Sequence, residues 1–198
     1  MISSRAVLVV IAGMFILPLV LAWLMFSGLI EFRPASTRNL GLLVEPAVPV
    51  SWNAVQVDGD DSFSTDDFAG HWLVLYAVPR PCDKSCIAAV VGLRQVLKAS
   101  GRHQSRIRLA LLHRLEEPGP LREVYAGFYL LENPAGELWD TLETISRQGN
   151  TSAGGPGSSY LVDPLGNIMM FYPPGTDPND LRMDLKRLLT WSKLDEPS

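Results

Sequence analysis

Cys82 and Cys86 are the only cysteines in the 198 residues, and three residues separate them. Thiols at that spacing close a disulfide with each other or share one soft metal ion, and no multi-bridge framework is available. A bridge across so short a loop removes little entropy from the unfolded chain, so a purely structural role would use it poorly. The pair therefore reads as a redox or metal site. In Pro81-Cys82-Asp83-Lys84-Ser85-Cys86 the sulfurs stand at i and i+4, neighbours on a helix surface if the first turn is regular. The amino end of a helix carries partial positive charge and free amide donors, which favour a thiolate, so Cys82 is expected to be the better nucleophile. Lys84 adds to that effect and Asp83 opposes it.

The other chemistry-bearing side chains are few. His113 ends an apolar run from Ile107 to Leu112. In open parallel sheets sites gather at the carboxyl ends of strands, so His113 is the histidine placed to join the cysteines as a metal ligand. The plainer reading makes it a polar side chain facing solvent at a strand end. His71 precedes its strand and His103 lies in a polar stretch, which makes both bystanders. Met169-Met170 carries thioether sulfur, yet alternation in a strand sends one of the two into the core.

The elements that must hold the pair follow from hydrophobic patterning. Trp72-Leu73-Val74-Leu75-Tyr76-Ala77-Val78 is a continuous apolar run between Gly70 and Pro79, the mark of a strand buried on both faces. After Cys82 the spacing becomes helical, with Ile87, Val90, Val91 and Leu97 on one side and a stop at Ser100-Gly101. Ile107–Leu112 is a second buried strand, and a short helical piece is expected over Leu121–Tyr125. Phe128–Leu131 reads as a further strand, followed by a helix from near Pro134 with Leu138, Leu142 and Ile145 inward. Tyr160–Val162 and Ile168–Phe171 flank Asp163-Pro164-Leu165-Gly166-Asn167 as a hairpin. Asp177-Pro178 opens a last helix with Leu181, Leu185, Leu188 and Leu189 on one face. A β-α-β unit followed by a hairpin and a helix is the thioredoxin order, so the expected fold is α/β, thioredoxin-like, with one N-terminal transmembrane helix.

That helix is read from Ala6–Ile30, which lacks any charge and exceeds the roughly 20 residues needed to cross a hydrocarbon core. A cleaved signal peptide has an apolar core of about 7–15 residues and a small-x-small site, and Trp23–Gly28 offers no such site. The chain therefore divides into a short cytoplasmic segment (1–5), an anchor (6–30), an extended tether (31–51) and a thioredoxin-like domain (52–198). Within the domain a small hairpin is expected around Val55-Gln56-Val57 and Phe63, turned at Asp58-Gly59. Keeping the short N-terminal segment inside makes this a single-pass inner-membrane protein with its C-terminal domain in the periplasm, where thiols can be oxidised. The formal charge of −4 comes without a Lys/Arg block, so the footprint of a nucleic-acid binder is missing.

From Val55 to Trp191 the chain resembles the Sco/SenC family, through Phe68-Ala69-Gly70-His71-Trp72, the Cys82-x-x-x-Cys86 motif and Tyr160-Leu161-Val162-Asp163-Pro164-Leu165-Gly166-Asn167. It is most similar to a divergent, membrane-anchored, cytochrome oxidase-associated branch, to which Tyr172–Pro178 also looks similar. The resemblance implies assistance in assembling the copper site of haem-copper (cytochrome c) oxidase, with an oxidase subunit or copper-site protein as partner. It also implies a third copper ligand, a histidine shortly before the Tyr-Leu-Val-Asp-Pro segment, and here Gly154-Gly155-Pro156-Gly157 stands in its place. Two thiolates suit Cu(I), whereas Cu(II) also wants nitrogen or oxygen. The expected function is therefore delivery of Cu(I) to, or reduction at, a partner's copper site through Cys82 and Cys86. The alternatives are a general periplasmic thiol-disulfide oxidoreductase and a structural accessory subunit of an oxidase.

Overall fold

The N-terminal apolar run forms a single helix, α1 (Ser4–Phe26), with Pro18 inside it. Over Arg5–Leu24 its mean hydropathy is 2.8, long and apolar enough to cross a membrane. This computed structural model describes residues 4–27, 39–57, 64–116, 118, 121, 127–148 and 155–192. Outside those residues fall residues 1–3 of the expected cytoplasmic segment, Gly28–Ile30 of the expected anchor, Glu31–Arg38 of the tether, the Asp58-Gly59 turn with Phe63, most of the Leu121–Tyr125 helix, Gly154, and residues 193–198 at the end of the expected domain. The chain separates into two units, Met1–Arg38 and Asn39–Ser198.

In the second unit the two uninterrupted apolar runs become the middle of a sheet. β3 (Trp72–Ala77) lies parallel to β4 (Ile107–His113), pairing Trp72 with Ile107 and Ala77 with Leu112. β5 (Tyr129–Glu132) is parallel to β4 on the far side. On the near side β6 (Ser159–Val162) runs antiparallel to β3, and β7 (Asn167–Tyr172) antiparallel to β6. β1 (Leu42–Pro49) and β2 (Gln56–Val57) close the edges, giving the order β1-β7-β6-β3-β4-β5-β2 among the described residues.

Part of the expected tether is thus strand. Leu42–Pro49 pairs antiparallel with β7 through an irregular register between Leu43 and Val48. The sequence hides it because an edge strand needs no strict alternation, and its only buried residue is Val44. Gln56–Val57 likewise pairs with β5, Gln56 opposite Glu132 and Val57 opposite Leu131. The expected hairpin strand at Val55–Val57 is thus extended as read, but its partner is the distant β5, which no local pattern announces.

The pleat of β3 divides the core. Trp72, Val74 and Tyr76 face α2 (Lys84–Ala99) and α4 (Pro178–Trp191), joining Val90, Leu93, Leu181 and Leu185. Leu73, Leu75 and Ala77 face the opposite way, where α3 (Glu137–Gln148) contributes Leu138, Leu142 and Ile145. Both faces are covered, which is why β3 and β4 read as unbroken apolar runs. Each buried aliphatic side chain contributes about 1.5–3 kcal/mol gross, most of it offset by chain entropy. Met170 is buried and Met169, at the irregularity between the Leu161–Met170 and Val162–Ile168 pairs, is partly buried against the same side of the core, so strict alternation does not hold at this pair.

The helix ends follow local chemistry. At α4 the Asp177 carboxylate accepts the Asn179 N–H at 2.9 Å, with Pro178 next to the cap. In the β6–β7 turn Asp163 Oδ1 accepts the N–H groups of Leu165 and Asn167, and Gly166 takes the positive φ of +87°. α2 meets the start of α4 through Gly92, where an added Cβ would stand 2.5 Å from Cγ of Pro178. Gly92→Ala is therefore expected to lower stability by about 1–2 kcal/mol net, overpacking outweighing the better helix propensity. A thermal melt at or above the wild-type midpoint would contradict this packing.

Candidate functional site

Cys82 and Cys86 are joined in a disulfide with their Cα atoms 5.2 Å apart. β3 delivers the first: it ends at Ala77, and Val78 N–H still bonds the Leu112 carbonyl at 2.8 Å before Pro79-Arg80-Pro81 breaks the ladder. α2 delivers the second and begins at Lys84, with Asp83 as its N-cap. Cys82 therefore lies just outside the helix instead of on its first turn, a correction to the i, i+4 picture. It remains partly exposed, whereas Cys86 points into the α2 core and is 1% exposed. An incoming thiolate thus meets Cys82 Sγ, and Cys86 is the leaving sulfur.

Asp83 also occupies the donors that were expected to help a thiolate. Its Oδ1 accepts the N–H of Ser85 at 2.9 Å, the hydroxyl of Ser85 at 2.6 Å and the N–H of Cys86 at 3.0 Å. The Ser85 hydroxyl, then the Cys86 amide, hold its carboxyl below the ordinary value of 3.8. A group depressed on folding stabilises above its unfolded pKa, so this cap is intact above about pH 4 and fails as pH falls through the lower folded value. At neutral pH a fixed negative charge therefore sits at the N-cap, on the residue after Cys82 and hydrogen-bonded to the Cys86 N–H. It disfavours either thiolate and holds the pair towards the reducing end of the scale. Asp83→Asn keeps a capping oxygen and removes the charge, so the reduction potential is expected to rise against a dithiothreitol redox buffer. An unchanged or lower potential would remove this electrostatic account.

The opposite wall is the glycine-rich segment. Gly157 N–H donates to the Ala77 carbonyl at 2.6 Å, and Ala77 N–H donates to Ser158 at 3.0 Å. Gly155 N–H donates to the Tyr160 hydroxyl at 2.9 Å, whose pKa is raised by burial. Gly155 and Gly157 have φ of +99° and +90°, and a Cβ at Gly157 would press on Pro174 at 3.3 Å. This backbone, rather than a ligating side chain, packs against the end of β3. Between it and the start of α2 runs a cleft of about 440 Å³, lined by Tyr76, Pro81, Asp83, Ser85, Pro156 and Pro174 among others.

His113 is not the solvent-facing side chain of the plainer reading. It is 1% exposed, its Nε2 lies 3.7 Å from Glu132 Oε1, and its Nδ1 accepts the Leu115 N–H at 3.3 Å. The strand continues one residue past Leu112, in register with β5 at His113–Glu132, and this carries the ring inward. Among the described residues no group of three or more His, Cys, Asp or Glu side chains is placed to hold a metal. His71 lines a separate hollow with Trp52 and Phe68, and His103 contacts Arg102 and Arg106. The cap role of Asp83 was legible in principle, since Asp three residues before Cys86 and ahead of an apolar period is an N-cap signal. The cleft was not, because its walls come from three distant segments.

Residues 72–192 match the family model described as transmembrane-like, thioredoxin-like, C-terminal domain. The chain belongs to this family. The thioredoxin-like domain carries both cysteines, and α1 accords with the transmembrane-like part of the description. Yeast Sco1 with copper bound superposes with a TM-score of 0.54 at 14% identity, over 81% of this chain and 99% of that one. BsSco, a member of the Sco family of cytochrome c oxidase assembly proteins, gives 0.51 at 17% identity, over 80% and 100%. A cysteine-to-serine mutant of Xanthomonas campestris peroxiredoxin Q gives 0.51 at 15% identity, over 72% and 97%. At these identities the likeness is one of fold. No curated protein matches the chain.

Proposed function

We propose that this protein is a membrane-anchored accessory factor for haem-copper oxidase assembly, whose reduced Cys82 and Cys86 take up Cu(I) or exchange electrons with the thiols of a partner's copper site. The observation that carries the reading is a lone sulfur pair, one member partly exposed, with its chain neighbours Pro81 and Asp83 lining a cleft, and the other buried. Such a pair suits a soft, low-coordinate ion or another thiol, and it offers no borderline nitrogen to Cu(II). The fold likeness to copper-bound yeast Sco1 and to BsSco supports it. We also propose residues 1–5 as cytoplasmic, 6–30 as the anchor and the thioredoxin-like domain as periplasmic, an oxidising compartment that matches the disulfide.

Anaerobic Cu(I) titration of the reduced full chain in detergent, against a Cu(I) chelator, tests the reading. One Cu(I) per chain is expected, with Cu(II) held poorly and tending to oxidise the thiols. Removing copper by chelator is expected to return two titratable thiols. His113→Ala is expected to leave Cu(I) affinity unchanged, and a large loss would make His113 the third ligand. Should no Cu(I) bind, the second reading stands: a general thiol-disulfide oxidoreductase, which the disulfide itself favours.

A further inference from the structure

The cleft beside the sulfur pair offers a partner an acceptor and few donors. Pro79, Pro81, Pro156, Pro174 and Pro178 line it, and proline has no N–H. Its two aliphatic hydroxyls are already committed: Ser85 Oγ donates to Asp83 Oδ1 at 2.6 Å and Thr176 Oγ1 to the Pro173 carbonyl at 2.7 Å. Gly157 N–H donates to the Ala77 carbonyl, and Tyr76 is 3% exposed. Among the described residues the one charged side chain in the lining is Asp83. It is exposed, its Oδ1 takes the three cap bonds, and its Oδ2 has no partner on another described residue. Arg80 and Lys84 are near in sequence but outside the lining, and Arg80 Nη1 donates to the Arg114 carbonyl at 3.1 Å. A half-used carboxylate thus stands one residue after the attacked sulfur, on the wall of the cleft.

We propose that Asp83 selects the thiol this protein reacts with: the cleft takes a peptide segment whose reacting cysteine is flanked by lysine or arginine, and disfavours one flanked by acidic side chains. The inference rests on the reactive-pair reading above and names the chemistry of the segment that pair meets. A cation near Asp83 Oδ2 draws the segment in as its thiolate approaches Cys82 Sγ, whereas a carboxylate there meets a like charge. At so exposed a site the attraction is screened by salt and acts chiefly on the rate of encounter. In the exchange the incoming thiolate attacks Cys82 Sγ, the Cys82–Cys86 bond breaks, and Cys86 leaves as a thiolate and takes a proton. A second peptide thiolate then displaces Cys82, so two peptides become one disulfide, oxidised by two electrons, and the pair here becomes two thiols.

The test uses the oxidised full chain in an uncharged detergent and short peptides, capped at both ends, with a central cysteine and either lysine or glutamate two positions away on each side. Loss of the disulfide is followed by alkylation and mass. Each rate is divided by that peptide's rate with bis(2-hydroxyethyl) disulfide, which removes differences in intrinsic thiol reactivity. The normalised lysine-to-glutamate ratio is expected to be at least about fivefold at low salt and to fall towards one at about 1 M NaCl. It is expected to fall likewise in Asp83→Asn, and a change of reduction potential in that variant moves both rates together without moving the ratio. A wild-type ratio near one, a ratio that persists in Asp83→Asn, or reduction by dithiothreitol and by neither peptide overturns the inference and keeps the reactive pair. Failure of the wild type to react with any of the three thiols overturns both.

Discussion

Cys86→Ser is expected to abolish Cu(I) binding and to convert a transient exchange partner into a persistent mixed disulfide on Cys82. One thiolate alone no longer offers the paired soft donor set, and with the buried sulfur gone nothing intramolecular displaces a captured thiol. Cys82→Ser is expected to abolish Cu(I) binding as well but to trap nothing, because Cys86 is buried among apolar α2 side chains. The asymmetry is the informative part. Non-reducing electrophoresis of membranes carrying each variant reads it directly, and equal trapping by both would overturn the assignment of Cys82 as the attacked sulfur.

Asp184→Ala is expected to cost about 3 kcal/mol, since it strands the Leu40 and Gly41 N–H groups, which the carboxylate accepts at 2.8 and 2.9 Å at the sheet edge, and leaves Arg187, 3.2 Å from the carboxylate, without this acceptor. For a unit of this size that is roughly 10 °C in melting temperature. The carboxylate also keeps the Tyr172 hydroxyl protonated: burial, then the Asp184 charge, raise its pKa well above the ordinary value. Asp184→Asn keeps an accepting oxygen and is expected to lose about 1 kcal/mol. Thermal denaturation of the three proteins decides, and an Ala variant as stable as the Asn variant would overturn this account.

Much of this molecule was legible in its sequence, for identifiable reasons. β3, β4 and the inward faces of α3 and α4 came through because burial on both sides of a sheet leaves an unbroken apolar run, and burial on one side of a helix leaves a period; in α2 the face is turned, with Val91 exposed and Cys86, Val90, Leu93 and Val96 inward. Leu138, Leu142 and Ile145, and Leu181 and Leu185, are core residues. β1 did not come through, and the extended Val55–Val57 stretch came through without its partner β5, because hydrogen bonding to a neighbour more than 70 residues away, Leu42 to Phe171 or Gln56 to Glu132, writes no local pattern. The cysteines were recognisable from spacing alone. What α2 does to them was not, since whether its first amides face a thiolate or an Asp83 carboxylate depends on where the helix starts, and helix ends are the least local-pattern-bound part of an element. His113 was misjudged in exposure for a similar reason: one further residue of pairing, with Glu132, turned a strand end into an interior position.

The two outer strands also bear on how many copies can share a membrane. Proteins confined to a bilayer meet one another in two dimensions, where an open strand edge is an invitation to join sheets and aggregate. Here one edge is, among the described residues, only Gln56–Val57, too short to template a neighbour. The other, Leu42–Pro49, carries Pro46 and Pro49, which lack amide donors, and an irregular register that interrupts a continuous ladder. Both borders of the sheet are thereby poor templates for a second chain, which leaves the domain free to remain single at the crowding that anchorage imposes.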